Sequence, residues 1–310
     1  MAKVVENNMV NEKDNRLIEQ EKKDLEIMKK EQKANSFIKK LLRNKTAVVG
    51  LVIIILVTLL AIFAPLLAPY DPTAVSLTEV CLKPGTSGHI LGTDEYGRDL
   101  LSRIIYGSRI SIIVGVGATL LGAILGIVLG LISGYKGGIV DTVIMRFMDG
   151  MFAFPFILLA IILMTVLGSG LNNVIFAIGI ANIPYYARIV RGQVLIVKEE
   201  DYCQAVKALG ASSFKIIKDH ILPNIASPII VYATLNIAGT IISEAGLSFL
   251  GLGIQPPTPS WGNILKSGKD YLLTSPHIAT FSGLAILITV IGFNLFGDGV
   301  RDALDPKMNK

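Results

Sequence analysis

The stretch Asp201-Tyr-Cys-Gln-Ala-Val-Lys-Ala-Leu-Gly-Ala-Ser-Ser-Phe-Lys-Ile-Ile-Lys-Asp-His-Ile-Leu-Pro223 is polar, yet strongly apolar runs flank it on both sides. Its pattern predicts two short amphipathic helices joined at Gly210. Tyr202, Val206 and Leu209 share a face on the first, and Phe214, Ile217 and Ile221 share one on the second. Gly210 supplies the left-handed conformation that stops a helix, Ser212 caps the next, and Pro223 is expected to end it. A compact knob held between apolar blocks points to docking against something outside this chain.

The surrounding runs set the fold class. Of the 310 residues, 52% are hydrophobic and 17% charged, a membrane-protein composition. Uncharged stretches cover 46–68, 110–133, 150–187, 224–243 and 278–297. The third is too long for one span of about 20 residues. Its polar centre, Gly168-Ser-Gly-Leu-Asn-Asn173, reads as a hairpin. The expectation is an all-α membrane protein with six transmembrane helices, the fourth (roughly 172–190) being the least apolar. The first span follows a 45-residue charged segment and is longer than a signal-peptide core, which argues against a cleaved leader.

Basic residues orient the spans. With a cytoplasmic N-terminus, 23 Lys and Arg fall inside and 6 outside; without the tail the count is 11 against 6. Both termini and the knob are therefore expected inside. The N-terminal tail, with 12 basic and 8 acidic residues, reads as a solvated, partly helical arm near anionic membrane lipid. Nucleic-acid binding has no support, because the basic residues are not interleaved with aromatics. Cys81 and Cys203 fall on opposite sides of the membrane, and His89, His220 and His277 are scattered, so no metal site is expected.

Four segments follow: a charged cytoplasmic tail (1–45), the first span with an external segment (46–108), a five-helix core (109–298) holding the loop 198–223, and a cytoplasmic C-terminal tail (299–310). In the external segment, 91–103 reads as a turn entering a short amphipathic helix capped by Asp94 or Thr93. Span two carries Gly122, Gly126, Gly130 and Gly134 on one face, a stripe for close packing, within this bundle in preference to a second subunit. Arg146 and Asp149, three residues apart, are expected to pair. Glu244, at the outer end of span five, is either a pathway residue or an interfacial one. Asn182 and Asn294 either cross-link helices or line a path.

The nearest match to a phosphate loop, Gly262-Asn-Ile-Leu-Lys-Ser-Gly-Lys-Asp270, has the wrong glycine spacing and lacks Ser or Thr after Lys269. No nucleophile–base or metalloprotease pattern is present either. Any use of ATP then belongs to a partner, and the chain is not expected to be an enzyme.

The knob resembles the cytoplasmic "EAA" loop of ATP-binding-cassette importer permeases. Gln204, Ala205 and Val206 stand at its first three places, and Gly210, Leu222 and Pro223 fall at the family's spacing. Gln204, Val206 and His220 depart from the consensus Glu, Ala and Ile. Four further stretches make the chain similar to the C-type permease subunit of dipeptide/oligopeptide importers. They are Gly92-Thr-Asp through Gly97-Arg-Asp and Ser102-Arg103; Tyr186-Ala-Arg-Ile-Val-Arg-Gly192; Glu244 through Gly253 with Gln255-Pro-Pro and Pro259-Ser-Trp-Gly262; and Asn294 with Gly297-Asp298, Arg301-Asp302 and Asp305-Pro306. Ile183 stands where relatives often carry Trp.

The resemblance implies a type I importer permease fold with cytoplasmic coupling helices, in the plasma membrane of a prokaryote. It implies a homologous second permease, cytoplasmic ATPases that bind ATP and Mg, and an external substrate-binding protein. ATPase contact would fall on Asp201, Tyr202, Gln204, Ala205, Leu209, Gly210, Ala211, Ser212, Phe214, Ile217, Leu222 and Pro223. The cargo stays open between di- or oligopeptides, glutathione, nickel chelates and other small solutes. A self-sufficient secondary transporter is the rival reading, but it predicts internal repeats, and none is clear between the two halves. A membrane scaffold that recruits a partner without moving solute is the third.

Overall fold

A computed structural model describes residues 37–305. Most of the charged tail, and the C-terminal residues 306–310, lie outside the described residues. Residues 37–43 are helical. The helices that follow are α1 (Lys45–Ile62), α2 (Ala64–Leu67), α3 (Leu100–Lys136), α4 (Gly138–Phe152), α5 (Phe156–Leu167), α6 (Leu171–Val197), α7 (Asp201–Ala208), α8 (Ser213–Ile216), α9 (Leu222–Phe249), α10 (Trp261–Lys269) and α11 (His277–Leu304). Among the described residues there is no strand, only isolated bridges between Thr86 and His89 and between Thr93 and Asp99.

Five stretches are long and apolar enough to cross a membrane: α1, α3, α6, the continuous helix from Ser213 through α9, and α11. The sixth crossing exists only if α4 and α5 count as one broken span, because they meet at 91°. The expected third span is thus interrupted. Pro155, which donates no backbone hydrogen bond, stands just before α5 and forces the break. The Gly168–Asn173 hairpin is where the pattern placed it, with α5 ending at Leu167 and α6 starting at Leu171. Helices α3, α6, α9 and α11 outrun their apolar stretches, since helical hydrogen bonding continues into flanking polar residues, whereas α1 stops at Ile62 inside its own.

Inside a bilayer there is little hydrophobic drive between helices, so close van der Waals fit must hold them. Glycines provide it at nearly every contact. A Cβ on Gly122 would lie 2.7 Å from Asn182 Cβ, one on Gly130 would lie 2.7 Å from the Ala187 carbonyl, and one on Gly134 would lie 2.8 Å from Val194 Cβ. Gly126 meets Tyr186 closer still. The stripe on α3 is therefore seated on α6 of the same chain. Gly115 sets α3 against Ile241 of α9, Gly297 sets α11 against Leu235 of α9, and Gly50 sets α1 against the α11 backbone.

The segment between α2 and α3 folds onto the start of α3 through buried charges. Asp94 accepts from the Arg98 Nε at 2.7 Å and lies 3.1 Å from the Arg103 Nε. Arg103 also donates to the Pro72 carbonyl at 2.9 Å. The helix cap is Asp99, which accepts from the Ser102 amide at 2.7 Å and holds His89 Nδ1 at 2.8 Å. Asp94 or Thr93 was the expected cap. Asp94 instead closes its own turn, taking the amides of Tyr96 and Arg98. The indole of Trp261 donates to the Ile104 carbonyl at 2.9 Å, which brings α10 to the same end. Residues 262–270 are therefore helix and helix end, not a phosphate loop.

The glycine seam carries a prediction. Gly130→Leu should destabilise the purified chain in detergent by about 1–3 kcal/mol or more, because neither α3 nor the α6 backbone can give way. Gly283→Ala, where an added Cβ meets open space, should be neutral or slightly stabilising. Thermal unfolding followed by tryptophan fluorescence decides between them.

Candidate functional site: the knob and the polar seam

Two features of the fold bear chemistry. The first is the knob at the end of α3 opposite Trp261, on a helix of 37 residues that is about 55 Å long. Helix α7 ends in a glycine cap with Gly210 at φ +82°. The Gly210 amide donates to the Lys207 carbonyl at 3.0 Å and the Ala211 amide to the Val206 carbonyl at 3.3 Å, which satisfies two orphan carbonyls. Ser212 Oγ accepts from the Lys215 amide at 3.4 Å and starts the second helix. That second helix does not stop at Pro223. A π turn over Ile217–Ile221 carries it into α9, the Leu222 amide reaching back to the Ile217 carbonyl. The wider turn accommodates a proline, which has no amide to donate and sits in the first turn of α9.

The knob divides its apolar residues between two faces, and the division differs from the expected one. Cys203, Ile216 and Ile221 are buried, with Val206, Ala211 and Ile217 beside them, against Val190 and Val194 of α6 and Ile127, Leu131 and Tyr135 of α3. Tyr202 leaves this cluster and is exposed, Leu209 is 86% exposed and Phe214 75% exposed. Asp201, Gln204, Ala205, Gly210, Ser212, Leu222 and Pro223 are also at the surface. The inner face roots the knob in the bundle, and the outer one presents two large apolar side chains to the surroundings. Gln204 Nε2 donates to the Lys198 carbonyl at 3.1 Å, a bond a carboxylate at that position cannot make.

Ion pairs lock the neighbouring helices. Arg191 forms a bidentate pair with Asp141, both bonds 2.6 Å, and Ser133 also donates to that carboxylate. Arg188 pairs with Asp149 at 2.6 Å and stacks over the Phe152 ring at 3.8 Å. Asp149 therefore pairs across to α6, not with Arg146 as the local spacing suggested. The long-range partner wins because α4 packs on α6, with Met148 against Ile183 and Ala187. Both arginines belong to the Tyr186–Gly192 stretch, whose sequence gave no partner for them.

The second feature is a polar seam inside the bundle. On α9, Asn236, Thr240, Glu244 and Ser248 follow one another at four-residue spacing and share a face. Asn236 Nδ2 donates to Asn182 Oδ1 at 3.2 Å and to the Tyr232 hydroxyl at 3.3 Å. Thr240 donates to Asn236 Oδ1 at 2.9 Å, and Thr119 of α3 lies 3.2 Å from the Thr240 hydroxyl. Ser248 donates to Glu244 Oε1 at 2.8 Å. Glu244 is fully buried, and its second oxygen has no hydrogen-bond partner. A cavity of about 190 Å³ opens at Asn182, Tyr232, Asn236 and Thr240. Glu244 and Asn294 do not line it; Asn294 is exposed on α11. Thr119, Tyr232, Asn236 and Thr240 escaped the sequence reading. Their signal was a run of small polar residues one turn apart within an apolar span. Among the described residues, no three His, Cys, Asp or Glu side chains converge as metal ligands.

The arrangement defines a polytopic helical membrane protein with a rigid surface knob between two spans. Residues 126–310 match the model of a binding-protein-dependent transport system inner membrane component, and residues 35–84 match that of the N-terminal TM domain of oligopeptide transport permease C. The chain belongs to this family of inner membrane components, the permease subunits of ATP-binding-cassette importers. It is 46% identical over 274 residues to the glutathione transport system permease protein GsiD of Escherichia coli O157:H7, covering 88% of this chain and 90% of that one. The same values hold for the GsiD protein of Shigella boydii serotype 4 (strain Sb227). In fold, it is similar to a crystal structure of an amino acid ABC transporter with histidines, with a TM-score of 0.52 at 13% identity over 66% of this chain and 95% of that one.

Cys203 provides a direct check on the knob's inner face. It is 3% exposed, and burial raises its thiol pKa. The thiolate attacks maleimide, so labelling of the detergent-purified chain at pH 7 should be at least about tenfold slower at Cys203 than at Leu209→Cys. The Cys203 rate should climb as pH rises toward its raised pKa. Equal rates at pH 7 would mean that the inner face is open.

Proposed function

We propose that this permease imports solutes containing peptide bonds, with di- and oligopeptides as the main cargo. The homology supports this: the N-terminal part matches an oligopeptide permease model, and the GsiD relatives are named for glutathione, itself a tripeptide. Glutathione is the second reading, favoured by that 46% identity. A homologous second permease supplies the other half of the pathway. Cytoplasmic ATPases bind ATP and Mg and hydrolyse the nucleotide, and an external binding protein delivers the solute. Both termini and the knob face the cytoplasm, in line with the distribution of Lys and Arg.

In this scheme 46–108 is the first span with its external segment, 109–298 is the permease core, and 299–310 is a cytoplasmic tail. The knob is the coupling element. The observation that carries this reading is the pair Leu209 and Phe214, large apolar side chains exposed on a knob whose other face is fixed in the bundle core. An isolated apolar side chain on a surface needs no explanation, but two on one rigid corner form an anchor for a groove. Asp201, Tyr202, Gln204, Ala205, Ala211 and Ser212 surround that anchor, with Gly210 as the corner. Ile217, Leu222 and Pro223 lie where the knob joins α9 and pass its displacement into the span. ATP-driven closure of the ATPases moves the knob as a rigid body, and the spans follow.

Coexpression tests the scheme. The purified chain alone should hydrolyse no ATP. Leu209→Glu with Phe214→Glu should reduce co-purification of the ATPase and solute uptake by about a hundredfold, the usual cost of losing two anchor residues, while membrane insertion is unchanged. An unchanged complex would overturn the coupling role. Loss of the complex without an uptake defect would favour a scaffold.

A further inference from the structure

The cavity at Asn182 lies at mid-depth in the bundle. Asn182 faces Gly122, near the centre of the uncharged stretch 110–133 of α3. Phe156, Tyr185 and Ser243 line the cavity with the four residues of the hydrogen-bonded cluster, and no lining side chain is charged. The hydrogen bonds within the cluster leave one group over. Asn236 spends both ends of its amide, the oxygen on Thr240 and the nitrogen on Asn182 and Tyr232. Asn182 spends its oxygen on Asn236, but its Nδ2 has no partner, although the residue is only 3% exposed. The hydroxyl of Tyr186 is also buried and unpartnered, but it does not line the cavity. A buried donor without an acceptor on the wall of a cavity marks a place where an acceptor from elsewhere belongs.

We propose that this cluster is the subunit's own contact with the transported solute, and that the Asn182 amide donates to a carbonyl oxygen of a passing peptide. The proposal rests on the import reading above and adds the site. The chemistry suits that ligand class. A peptide backbone is neutral and rich in carbonyl acceptors and amide donors, and a charge-free lining of amides and hydroxyls matches it without reading side-chain charge. Tyr185 and Tyr232 add ring faces to the cavity lining, against which varied side chains can rest. A site of this kind orients a peptide weakly and releases it, as passage through a membrane requires.

The test uses the assembled transporter, with its second permease, ATPases and binding protein, in proteoliposomes. Radiolabelled trialanine and radiolabelled reduced glutathione are the probes. Asn182→Leu removes the donor together with the Oδ1 that holds Asn236, so Asn236→Leu, which breaks the same bond between helices and keeps the Asn182 donor, is its control; uptake of the transported probe should fall about tenfold further in Asn182→Leu, the worth of one hydrogen bond. ATP hydrolysis stimulated by the binding protein should agree within about twofold between the two variants, since both lose the same bond between helices. Ser243→Cys, in a chain carrying Cys81→Ser and Cys203→Ala, should react with a water-soluble methanethiosulfonate and be protected by the transported probe. Uptake by Asn182→Leu equal to that of wild type or of Asn236→Leu would overturn the proposal while leaving the import reading intact. So would loss of ATP hydrolysis and assembly together with uptake, because that assigns Asn182 to structure. An unreactive Ser243→Cys would overturn it as well. A wild-type complex that moves neither probe would instead sink the peptide-class reading itself, and this ligand with it.

Discussion

Helices α3 and α6 approach each other until backbone meets side-chain root, and the rest of the bundle is arranged around that contact. In water, apolar helices gather because water expels them; in lipid that drive is gone, and only close fit remains. Gly122, Gly126, Gly130 and Gly134 remove four side chains in a row, so α6 lies in a groove nearly four turns long. The seam fixes which residues of α6 point elsewhere. Asn182 sits over Gly122, which directs its amide toward α9. Arg188 and Arg191, further along, reach α4. One packing choice thus places both the polar cluster and the ion pairs.

The charged contacts at the knob end sit where water can reach them, unlike the buried Asp94–Arg98–Arg103 group at the start of α3. The Asp141–Arg191 and Asp149–Arg188 pairs lie at the knob end of α6, and their side chains are partly or half exposed. Exposed pairs of this kind contribute little energy, usually about 0–1 kcal/mol. Their use is geometric. A bidentate guanidinium fixes the direction of α4 ahead of the 91° bend, beside the apolar contact of Met148 with Ile183 and Ala187. The interior seam uses only neutral groups apart from Glu244. Amide and hydroxyl bonds can exchange partners at small cost, whereas a buried ion pair pulled apart leaves charges stranded.

Much of this was legible in the chain. The spans announce themselves as apolar runs, because a bilayer imposes length and composition together. The corner at Gly210 and the cap at Ser212 were legible because both are local: a left-handed residue and a hydroxyl three residues before a free amide. What stayed hidden was non-local. Asp141 and Arg191 are 50 residues apart, and nothing in either neighbourhood names the other. Pro155 signals a break but not its angle. Pro223 looked like a stop because the rule for it assumes an α-helix; a π turn upstream removes the conflict. Asn236 went unread because one amide in an apolar run is common, and its meaning comes from Asn182 and Thr119 on other helices.

The knob and the cluster are joined by the same three helices, and this bears on how force could become opening. The inner face of the knob touches α3 and α6, while its second helix is continuous with α9. The first two are bound to each other by the glycine seam and behave as one body. Helix α9 meets that body through Gly115 at Ile241, and through hydrogen bonds from Asn236 and Thr240 to Asn182 and Thr119. A displacement of the knob therefore loads the α9 boundary before it loads the α3–α6 seam, since the former is held by exchangeable neutral bonds and the latter by interlocked backbones. On the coupling reading, the polar cluster lies on the boundary that a displacement of the knob would load first. A solute carbonyl bound by Asn182 would then feel the motion directly, because the partner that shares that amide, Asn236, is carried on the moving helix.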